Sequence, residues 1–470
     1  MVLGVLFSMQ DGLPLPARLR AMFVIAMGIA MSVLDSTIVN LALPGIARDL
    51  QASAAQSVWV VNAYQVATLG LLLPCAMLGD LVGYRRVYLS GLALFTGASL
   101  GCLLADSLPS LAFWRAVQGV GSAGIMGVNA ALVRRIYPAN MLGRGVALNS
   151  VVVATASVAG PSVSALILSL GPWPWLFALN LPLGLVVLVL GYRALPGNAT
   201  VRPRGAGLSW PDVLMNVLMF GLVFLGADML GTRAGAASSG AGLATALALL
   251  AAGIAVGVVY LRRQWVLPVP LFPVDLLRIP VFRLSMCTSV GAFAAQMLAY
   301  VGLPFFLLDG LGRSPVEAGL LITAWPLGTV VAAPLAGRLI GRYPDGLLGG
   351  VGLGLFAVGL VLLALLPAQP TGVDIVWRMA LCGIGFGLFQ SPNNHTIVTS
   401  APVHRSGGAS GMLGTARLTG QTAGAVLLAM IFSVTNAHDG RGPVIALGLA
   451  ALFACVAAGF SLRRLRHAAP

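Results

Sequence analysis

Residues 31–44 read Met-Ser-Val-Leu-Asp-Ser-Thr-Ile-Val-Asn-Leu-Ala-Leu-Pro and place an acid, Asp35, inside an apolar run that begins near Ala21. The run is long enough to cross a bilayer as a helix. About 21 Å of helix separates Ala21 from Asp35, so the carboxyl lies well inside a hydrocarbon layer about 30 Å thick. An ionised acid at that depth costs at least about 2.5 kcal/mol and normally faces a bundle interior or a wet cavity. Polar side chains follow the acid: Ser36, Thr37 and Asn40. They favour a functional acid over a protonated one that merely bonds a neighbouring helix.

The composition indicates a polytopic membrane protein. The 470 residues are 58% hydrophobic and 9% charged, with mean hydropathy +0.95, whereas a soluble domain carries about 25% charged residues. The net charge of +14 comes from 27 basic residues, all of them arginine. The positive-inside rule explains this excess better than a nucleic-acid partner, and none is predicted. The five cysteines lie in or beside apolar segments without metal-ligand spacing, so no metal site is predicted.

Apolar segments predict fourteen transmembrane spans arranged six, two and six. They fall near residues 21–43, 57–78, 86–105, 110–132, 144–169, 174–194, 209–231, 240–261, 281–307, 316–336, 346–366, 375–398, 407–435 and 442–462. We therefore predict an N-terminal six-helix bundle over 1–194, two linker helices with flanking loops over 195–280, and a C-terminal six-helix bundle over 281–470.

The arginines alternate between the two sides of this layout. One set of alternate loops holds 20 of them and the other holds 5, while Arg115 and Arg417 fall within spans. This bias predicts cytoplasmic N- and C-termini. The longest loops, Gly191–Leu208 and Arg262–Pro280, look like cytoplasmic connectors, and neither holds a folded domain. With no phosphate-cradling or nucleophile motif either, we predict no enzyme activity and no cofactor.

Three further motifs place polar or helix-breaking residues beside the membrane core. The loop Gly79-Asp80-Leu81-Val82-Gly83-Tyr84-Arg85-Arg86 could form a latch between helix ends or act only as a topological anchor. In the fourth span, Arg115 needs a carboxylate, water or carbonyl partner. Gln118 at i+3 favours an inward site over an arginine that snorkels to the interface. In the fifth span, Gly160-Pro161 removes a backbone hydrogen bond and predicts a kink that could act as a pivot.

These motifs together resemble the major facilitator superfamily. Residues 79–86 resemble its loop motif, Arg115 to Ala123 its fourth-helix motif, and Gly160-Pro161 its antiporter motif. Leu34 to Pro44 resembles the first-helix signature of the fourteen-helix drug:proton antiporter family. Further resemblance to that family lies in three stretches: Trp173–Gly184, Gly387–Asn394, and Gly407–Gly411 with Arg417. The resemblance covers nearly the whole chain and implies the all-α major facilitator fold, with two pseudo-symmetric six-helix halves.

The sequence departs from the family pattern at several positions. Ser164-Ala165 stands where paired glycines are usual, Ala156 where a leading glycine is common, and Pro174 where arginine is usual. The second copy of the loop motif, Gly337 to Arg342, lacks an acid equivalent to Asp80. These departures bear on the direction of transport rather than on the fold.

The resemblance implies alternating access in a bacterial inner membrane, driven by the proton gradient. We expect a proton and a cationic amphipathic drug to compete for Asp35, because burial disfavours its ionised form and a bound cation favours it. Arg115, Gln118 and Asn40 would tune this site, and Asp80 with Arg85 and Arg86 would bias its conformations. Asp228 is a second intramembrane acid candidate. Asp309 and Glu317 border an outer loop.

The second half offers weaker candidates. Several polar or aromatic residues could line the pathway or simply join helices: Gln296, Tyr300, Trp325, Gln390, Asn393, Asn394 and His395. The alternatives to drug export are a proton symporter or exporter of one metabolite, and a membrane sensor or scaffold. Expected partners are the lipid bilayer, protons and small amphipathic substrates, and recruitment of a periplasmic adaptor protein is left open.

Overall fold

The computed structural model describes residues 12–138, 141–197, 209–234, 240–267, 270–367, 369–402, 406–435 and 441–466. Of the predicted connectors, residues 198–208 and 268–269 lie outside the described residues. Regular structure in the described ranges is helical apart from one β-bridge between Ile340 and Tyr343. The helices of at least 15 residues are α1 Leu15–Asp49, α2 Trp59–Val82, α3 Tyr84–Leu103, α4 Leu108–Ile136, α5 Leu142–Leu170, α6 Asn180–Ala194, α7 Trp210–Ala234, α8 Gly240–Val266, α9 Pro280–Phe305, α10 Pro315–Leu339, α11 Asp345–Ala364, α12 Gly372–Ser400, α13 Ser406–Val434 and α14 Arg441–Arg463.

The remaining helical pieces are short connections. Single turns of α-helix, Ala54–Ser57 and Trp175–Ala178, precede α2 and α6. Val274–Arg278 forms a 3₁₀-helix before α9, and a π-helical turn, Phe306–Gly310, ends it. A last 3₁₀ turn, Arg464–Arg466, follows α14.

The helices match the fourteen predicted spans one for one. Among the described residues, 13 helical segments are long and apolar enough to cross a membrane. The fifth predicted span corresponds to α5, whose described apolar segment, Ala159–Leu170, is shorter. The whole of α5 has 29 residues, about 43 Å of helix, which exceeds the thickness of the hydrocarbon layer. Large apolar side chains stay exposed on outward faces, such as Leu185 and Val189 of α6 and Ile254 of α8. In a bilayer these faces contact lipid.

In the first half, α4 packs against both α2 and α3. Its glycines allow this close approach. A Cβ at Gly121 would lie 2.5 Å from the backbone nitrogen of Phe95 in α3, and a Cβ at Gly119 would collide with the Tyr64 carbonyl in α2. Small residues at such crossings are the usual means by which transmembrane helices pack closely.

The second half repeats this arrangement with α12 in the place of α4. α12 packs against α10 and α11. A Cβ at Gly385 would lie 2.5 Å from the backbone nitrogen of Phe356 in α11, and one at Gly383 would collide with the Trp325 carbonyl in α10. The chain therefore contains two similarly packed groups of helices, as an internal structural repeat requires.

The two groups meet along α5 and α10, and also where α1 approaches α9 and α2 approaches α13. Ser162 of α5 and Thr323 of α10 share a hydrogen bond of 2.8 Å between their hydroxyl oxygens. The linker helix α7 packs against α2 and α13, and its Asn216 donates to the carbonyl of Gly70 in α2. α7 thus lies against both groups at one side of their junction, and α8 packs on α7.

Candidate functional site

Asp35 lies deep in α1 and is 1% exposed. Its Oδ2 accepts a hydrogen bond from Nη1 of Arg115 in α4, so the two side chains form a buried ion pair. Its Oδ1 accepts from Nε2 of Gln118 at 2.9 Å and from Nδ2 of Asn180 at 2.7 Å. Both oxygens of the carboxylate are therefore bonded, and α1 is joined to α4 and α6.

Arg115 is 1% exposed, which excludes the snorkelling alternative. Its Nε donates to the carbonyl of Val60 in α2 at 2.9 Å, and Nη1 also donates to Oε1 of Gln118 at 2.6 Å. The guanidinium lies 4.4 Å from the ring centroid of Tyr64, close enough for a cation–π interaction. Gln118 extends the network to α3 by donating to Ser99 at 2.8 Å. Five helices of the first half therefore converge on one buried charge pair.

Tyr64 separates this ion pair from a cavity between the two halves. Its ring lies against Arg115, while its hydroxyl bonds Ser32 of α1 and Ser122 of α4 at 3.0 and 2.7 Å. Tyr64 and Ser32 also line the cavity. Its walls come from α1, α2, α4 and α13. Its other lining residues include Val33, Ser36, Gln65, Met126, Arg417, Leu418 and Gln421.

Two other predicted polar residues lie apart from the ion pair. Asn40 is 5% exposed, and its Oδ1 has no hydrogen-bond donor among the described residues. Asp228 of α7 is 2% exposed and accepts a 2.5 Å hydrogen bond from the indole of Trp59 in α2. Asp228 thus helps join α7 to the first half, and the structure does not bring it to Asp35.

The Gly79–Arg86 loop lacks the ion pair between Asp80 and its arginines that the latch alternative would use. Asp80 is exposed and accepts a hydrogen bond from the Tyr84 hydroxyl. Arg85 donates to the Tyr192 carbonyl in α6 and lies over the Tyr192 ring. Arg86 donates to the Val82 carbonyl at 3.5 Å. Among the described residues, Asp80 forms no ion pair with Arg85 or Arg86.

The glycines of this loop have clear structural reasons. Gly83 ends α2 at φ 103°, a left-handed conformation that glycine adopts without strain. Gly79 packs closely on its surroundings, because a Cβ there would lie 2.6 Å from the Tyr84 ring and 2.7 Å from Val128 of α4.

Gly160 and Pro161 lie where α5 packs between α1 and α10. A Cβ at Gly160 would collide with Thr37 of α1, and Pro161 stays inside the continuous helix. A Cβ on Gly319 of α10 would lie 3.0 Å from the Pro161 carbonyl. The motif therefore permits close contact of α5 with α1 on one side and with α10 on the other.

The predicted pathway residues of the second half divide into two groups. Tyr300 and Trp325 stack edge to face at 5.1 Å between ring centroids inside an aromatic cluster. Trp325 is 1% exposed. Neither lines the cavity described above. Three further candidates are half-buried: Gln296, Gln390 and Asn394.

Asn393 belongs to a structural polar cluster near the end of α14. Its Nδ2 donates to Ser289 at 2.7 Å, and its Oδ1 accepts from Nη1 of Arg464 at 2.9 Å. Arg464 lies beyond the last predicted span, 442–462, yet it is 2% exposed and also bonds Ser285 and Ser461. Neighbouring His395 instead bonds Asp345 at 2.7 Å. The structure thus favours the alternative of a hydrogen-bonded helix contact over a pathway role for Asn393.

Sequence reasoning missed three residues of the site. Asn180 follows the apolar stretch Trp175–Leu179, and its isolated polarity was the available signal. Tyr64 was visible only as a polar residue within a span. Arg417 was noted within a span and beside a family motif but received no role in the site, because a position at the cavity depends on how the helices pack.

Comparison with known proteins agrees with this architecture. The family model described as "Major Facilitator Superfamily" matches residues 25–425 and 284–470. The chain is 53% identical to "Uncharacterized transporter YebQ" of Escherichia coli (strain K12), with 97% of each chain covered.

More distant relatives have names that give different functions. The chain is 27% identical to "Riboflavin transporter RibZ" of Clostridioides difficile (strain 630), covering 89% of each chain. It is 28% identical to "Multidrug resistance protein Stp" of Mycobacterium tuberculosis (strain CDC 1551 / Oshkosh), covering 88% of this chain and 76% of that one.

A polytopic helical bundle with a repeated packing plan, similar in sequence to known transporters, is a multi-pass membrane transporter and does not belong to an enzyme family. The chain belongs to the major facilitator superfamily.

Proposed function

We propose that this protein is a proton-coupled antiporter that exports amphipathic small molecules by alternating access, with Asp35 as the proton-binding group. The observation that carries the proposal is the buried ion pair between Asp35 and Arg115, held by Gln118 and Asn180. A membrane-embedded acid is expensive and is characteristic of proton relays in transporters.

Protonation of Asp35 would change the forces between helices. In the present arrangement both carboxylate oxygens accept hydrogen bonds, and the donors belong to Arg115, Gln118 and Asn180. A neutral carboxyl loses the charge attraction to Arg115 and weakens the tie between α1 and α4. Proton binding would therefore shift the balance between conformations by the difference in proton affinity between them.

Tyr64 and Ser36 provide the connection between the proton site and the cargo. Ser36 follows Asp35 in α1 and lines the cavity, and the Tyr64 ring lies between Arg115 and the same cavity. Cargo pressing on Tyr64 would disturb the ion pair without touching Asp35. This arrangement replaces the direct competition at Asp35 that the sequence alone predicts.

The preference for cationic cargo predicted from Asp35 loses its basis in this arrangement, because Arg115 already neutralises that acid. Outward transport of amphipathic compounds is supported by similarity to the multidrug resistance protein Stp. The same similarity, together with the arginine bias, supports a bacterial inner membrane location with cytoplasmic termini.

Two motifs are proposed to control the conformational change. Arg85 joins the α2–α3 loop to the end of α6 through Tyr192, and Asp80 with Tyr84 stiffens that loop. With Gly79, Gly83 and Arg86 this loop would favour one orientation of the first half. Gly160 and Pro161 would act as the pivot, since they lie between α1 and α10.

The test is proton movement in proteoliposomes loaded with a pH dye. Ethidium, riboflavin and 2-naphthoate serve as cationic, neutral and anionic probes. We expect at least one probe gradient to drive proton movement through the wild type. Asp35→Asn should abolish this movement yet retain exchange of labelled probe across the membrane, because exchange needs no net proton transfer.

Asp228→Asn is the matched control, since it removes another buried intramembrane acid, which is also 2% exposed or less. It should leave proton movement within about twofold of the wild type. Full proton coupling in Asp35→Asn, or loss of coupling only in Asp228→Asn, would overturn the assignment of Asp35.

A second candidate is transport of one specific metabolite, in either direction. Similarity to the riboflavin transporter RibZ favours it. The same vesicles distinguish the two, because a specific transporter moves one probe class and ignores the others.

A further inference from the structure

The cavity between the halves contains an arginine whose charge is not balanced. Arg417 lies in the first half of α13, and its side chain lines the cavity. Its Nε is buried and has no hydrogen-bond acceptor among the described residues. The guanidinium lies 5.7 Å from the ring centroid of Phe293 in α9, which is a contact with an aromatic face and not with an acid.

The two buried arginines among the described residues show what a structural arginine looks like in this protein. Arg115 bonds Asp35, Gln118 and Val60, and Arg464 bonds Ser285, Asn393 and Ser461. Arg417 forms no ion pair or hydrogen bond among the described residues. A guanidinium keeps its proton and offers five donors, so an unbonded one inside a membrane protein is costly unless something else occupies it.

The surroundings supply no counter-charge. Asp35, one residue before the cavity-lining Ser36, is already bonded to Arg115, and Asp228 is bonded to Trp59. The Asp35–Arg115 pair is neutral as a unit, so Arg417 leaves the cavity with a net positive charge. A positive cavity with low-dielectric walls attracts anions and repels cations.

The other lining residues combine polar groups with apolar surface. Gln65 and Gln421 line the same cavity as Arg417 and carry amide N–H donors, and Val33, Met126 and Leu418 form apolar surface. The planar fork of arginine matches the two oxygens of a carboxylate or phosphate. Methionine adds a surface that adapts to differently shaped apolar groups.

We propose that this cavity, which is about 10 Å³ in the present arrangement and so has room for about one water molecule, widens when the halves part and then binds amphipathic organic anions, with the oxyanion group on Arg417 and the apolar body against Val33, Met126 and Leu418. This inference rests on the proposed function for its role in transport, but binding itself does not depend on proton coupling. The inferred cargo is anionic, whereas Asp35 in α1, considered alone, predicts a cationic cargo.

The test uses four naphthalene probes that share one apolar body. These are 2-naphthoate, 2-naphthyl phosphate, the neutral 2-naphthamide and the cationic 2-naphthylmethylammonium. Equilibrium binding is measured by tryptophan fluorescence on the purified full-length protein in nanodiscs, with no proton gradient. In the wild type, 2-naphthoate or 2-naphthyl phosphate should bind at least about tenfold more tightly than the amide, which is the usual worth of a charge-assisted hydrogen bond. Whichever of the two anions binds more tightly shows whether the cavity prefers a carboxylate or a phosphate.

Arg417→Gln should bring the anion to the affinity of the amide, and Arg417→Lys should retain part of the preference because it keeps the charge and loses the fork. Arg20→Gln, which removes an exposed arginine, should leave the preference unchanged. Gel filtration and a thermal midpoint confirm that each variant is folded, and retained amide affinity confirms an intact cavity.

Equal binding of anion and amide by the wild type, or no binding of either, would overturn the proposal, as would a full anion preference in Arg417→Gln. These outcomes differ from failure of the proposed function. A protein that binds anions through Arg417 but moves no protons refutes only the coupling, and a protein that moves protons with ethidium and ignores naphthoate refutes only the anion site.

Discussion

The carboxylate of Asp35 and the guanidinium of Arg115 depend on each other for their burial. Each is 1% exposed, and each offsets the cost of burying the other's charge. Removing one partner of a buried pair costs about 3–5 kcal/mol, whereas replacing both by neutral groups is often nearly neutral.

Arg115→Gln should therefore strongly lower the thermal midpoint of the detergent-solubilised protein. The Asp35→Asn/Arg115→Gln double variant should recover most of that loss, because it leaves no uncompensated charge. Differential scanning fluorimetry on the wild type, both single variants and the double variant completes the cycle. Additive losses in the double variant would mean that the pair is not energetically coupled.

The sequence predicted the acid, the arginine and Gln118 as one site, and in the structure the three side chains are hydrogen-bonded to one another. The reasoning was sound because a buried charge in a span demands a partner. It could not identify Asn180, since hydropathy and spacing do not tell which distant helix faces α1. For the same reason the sequence assigned cation binding to Asp35 without knowing that Arg115 neutralises it.

α4 and α12 each carry glycines that pack directly against main-chain atoms of two neighbouring helices. The family motif in α4 contains Gly119 and Gly121, and both lie against main-chain atoms that cannot move aside. The motif thus has two physical roles, since Arg115 and Gln118 bind the acid while the glycines set the distance between α4, α2 and α3.

Gly121→Ala should destabilise the protein by about 1–3 kcal/mol, because its methyl group would overlap the Phe95 and Gly91 backbone. Gly97→Ala in α3 is the matched control, since a Cβ there meets nothing within 4 Å. That variant should be neutral or slightly stabilising, because alanine favours helix more than glycine does. Thermal midpoints of the two variants decide the matter, and equal values would refute the close-packing role of Gly121.

Across the whole molecule, the alternation of arginines between loops was informative, because one missed span would assign every later loop to the wrong side of the membrane. The predicted order of spans is confirmed by fourteen long helices in the described residues. The contacts between halves could not be predicted, since lipid-facing and partner-facing surfaces are both apolar. The cavity and its unbalanced Arg417 follow from those contacts.

Alternating access requires the two halves to separate where they now meet. Ser162 of α5 and Thr323 of α10 lie at that contact, with 2.8 Å between their hydroxyl oxygens. Cysteines at both positions should bring two sulfur atoms close enough for a disulfide. Oxidised Ser162→Cys/Thr323→Cys should lose probe exchange in proteoliposomes, because α5 and α10 can no longer part, and reductant should restore it.

The single variants serve as controls and should keep exchange under oxidation. The native cysteines do not interfere at this contact, because Cys102 and Cys382 are buried, Cys287 and Cys455 are exposed on other helices, and Cys75 lies in α2. Undiminished exchange in a fully crosslinked double variant would show that α5 and α10 stay together throughout transport. The moving surface would then lie at the remaining contacts between the groups, that of α1 with α9 and that of α2 with α13, where Arg417 and Tyr64 line the cavity.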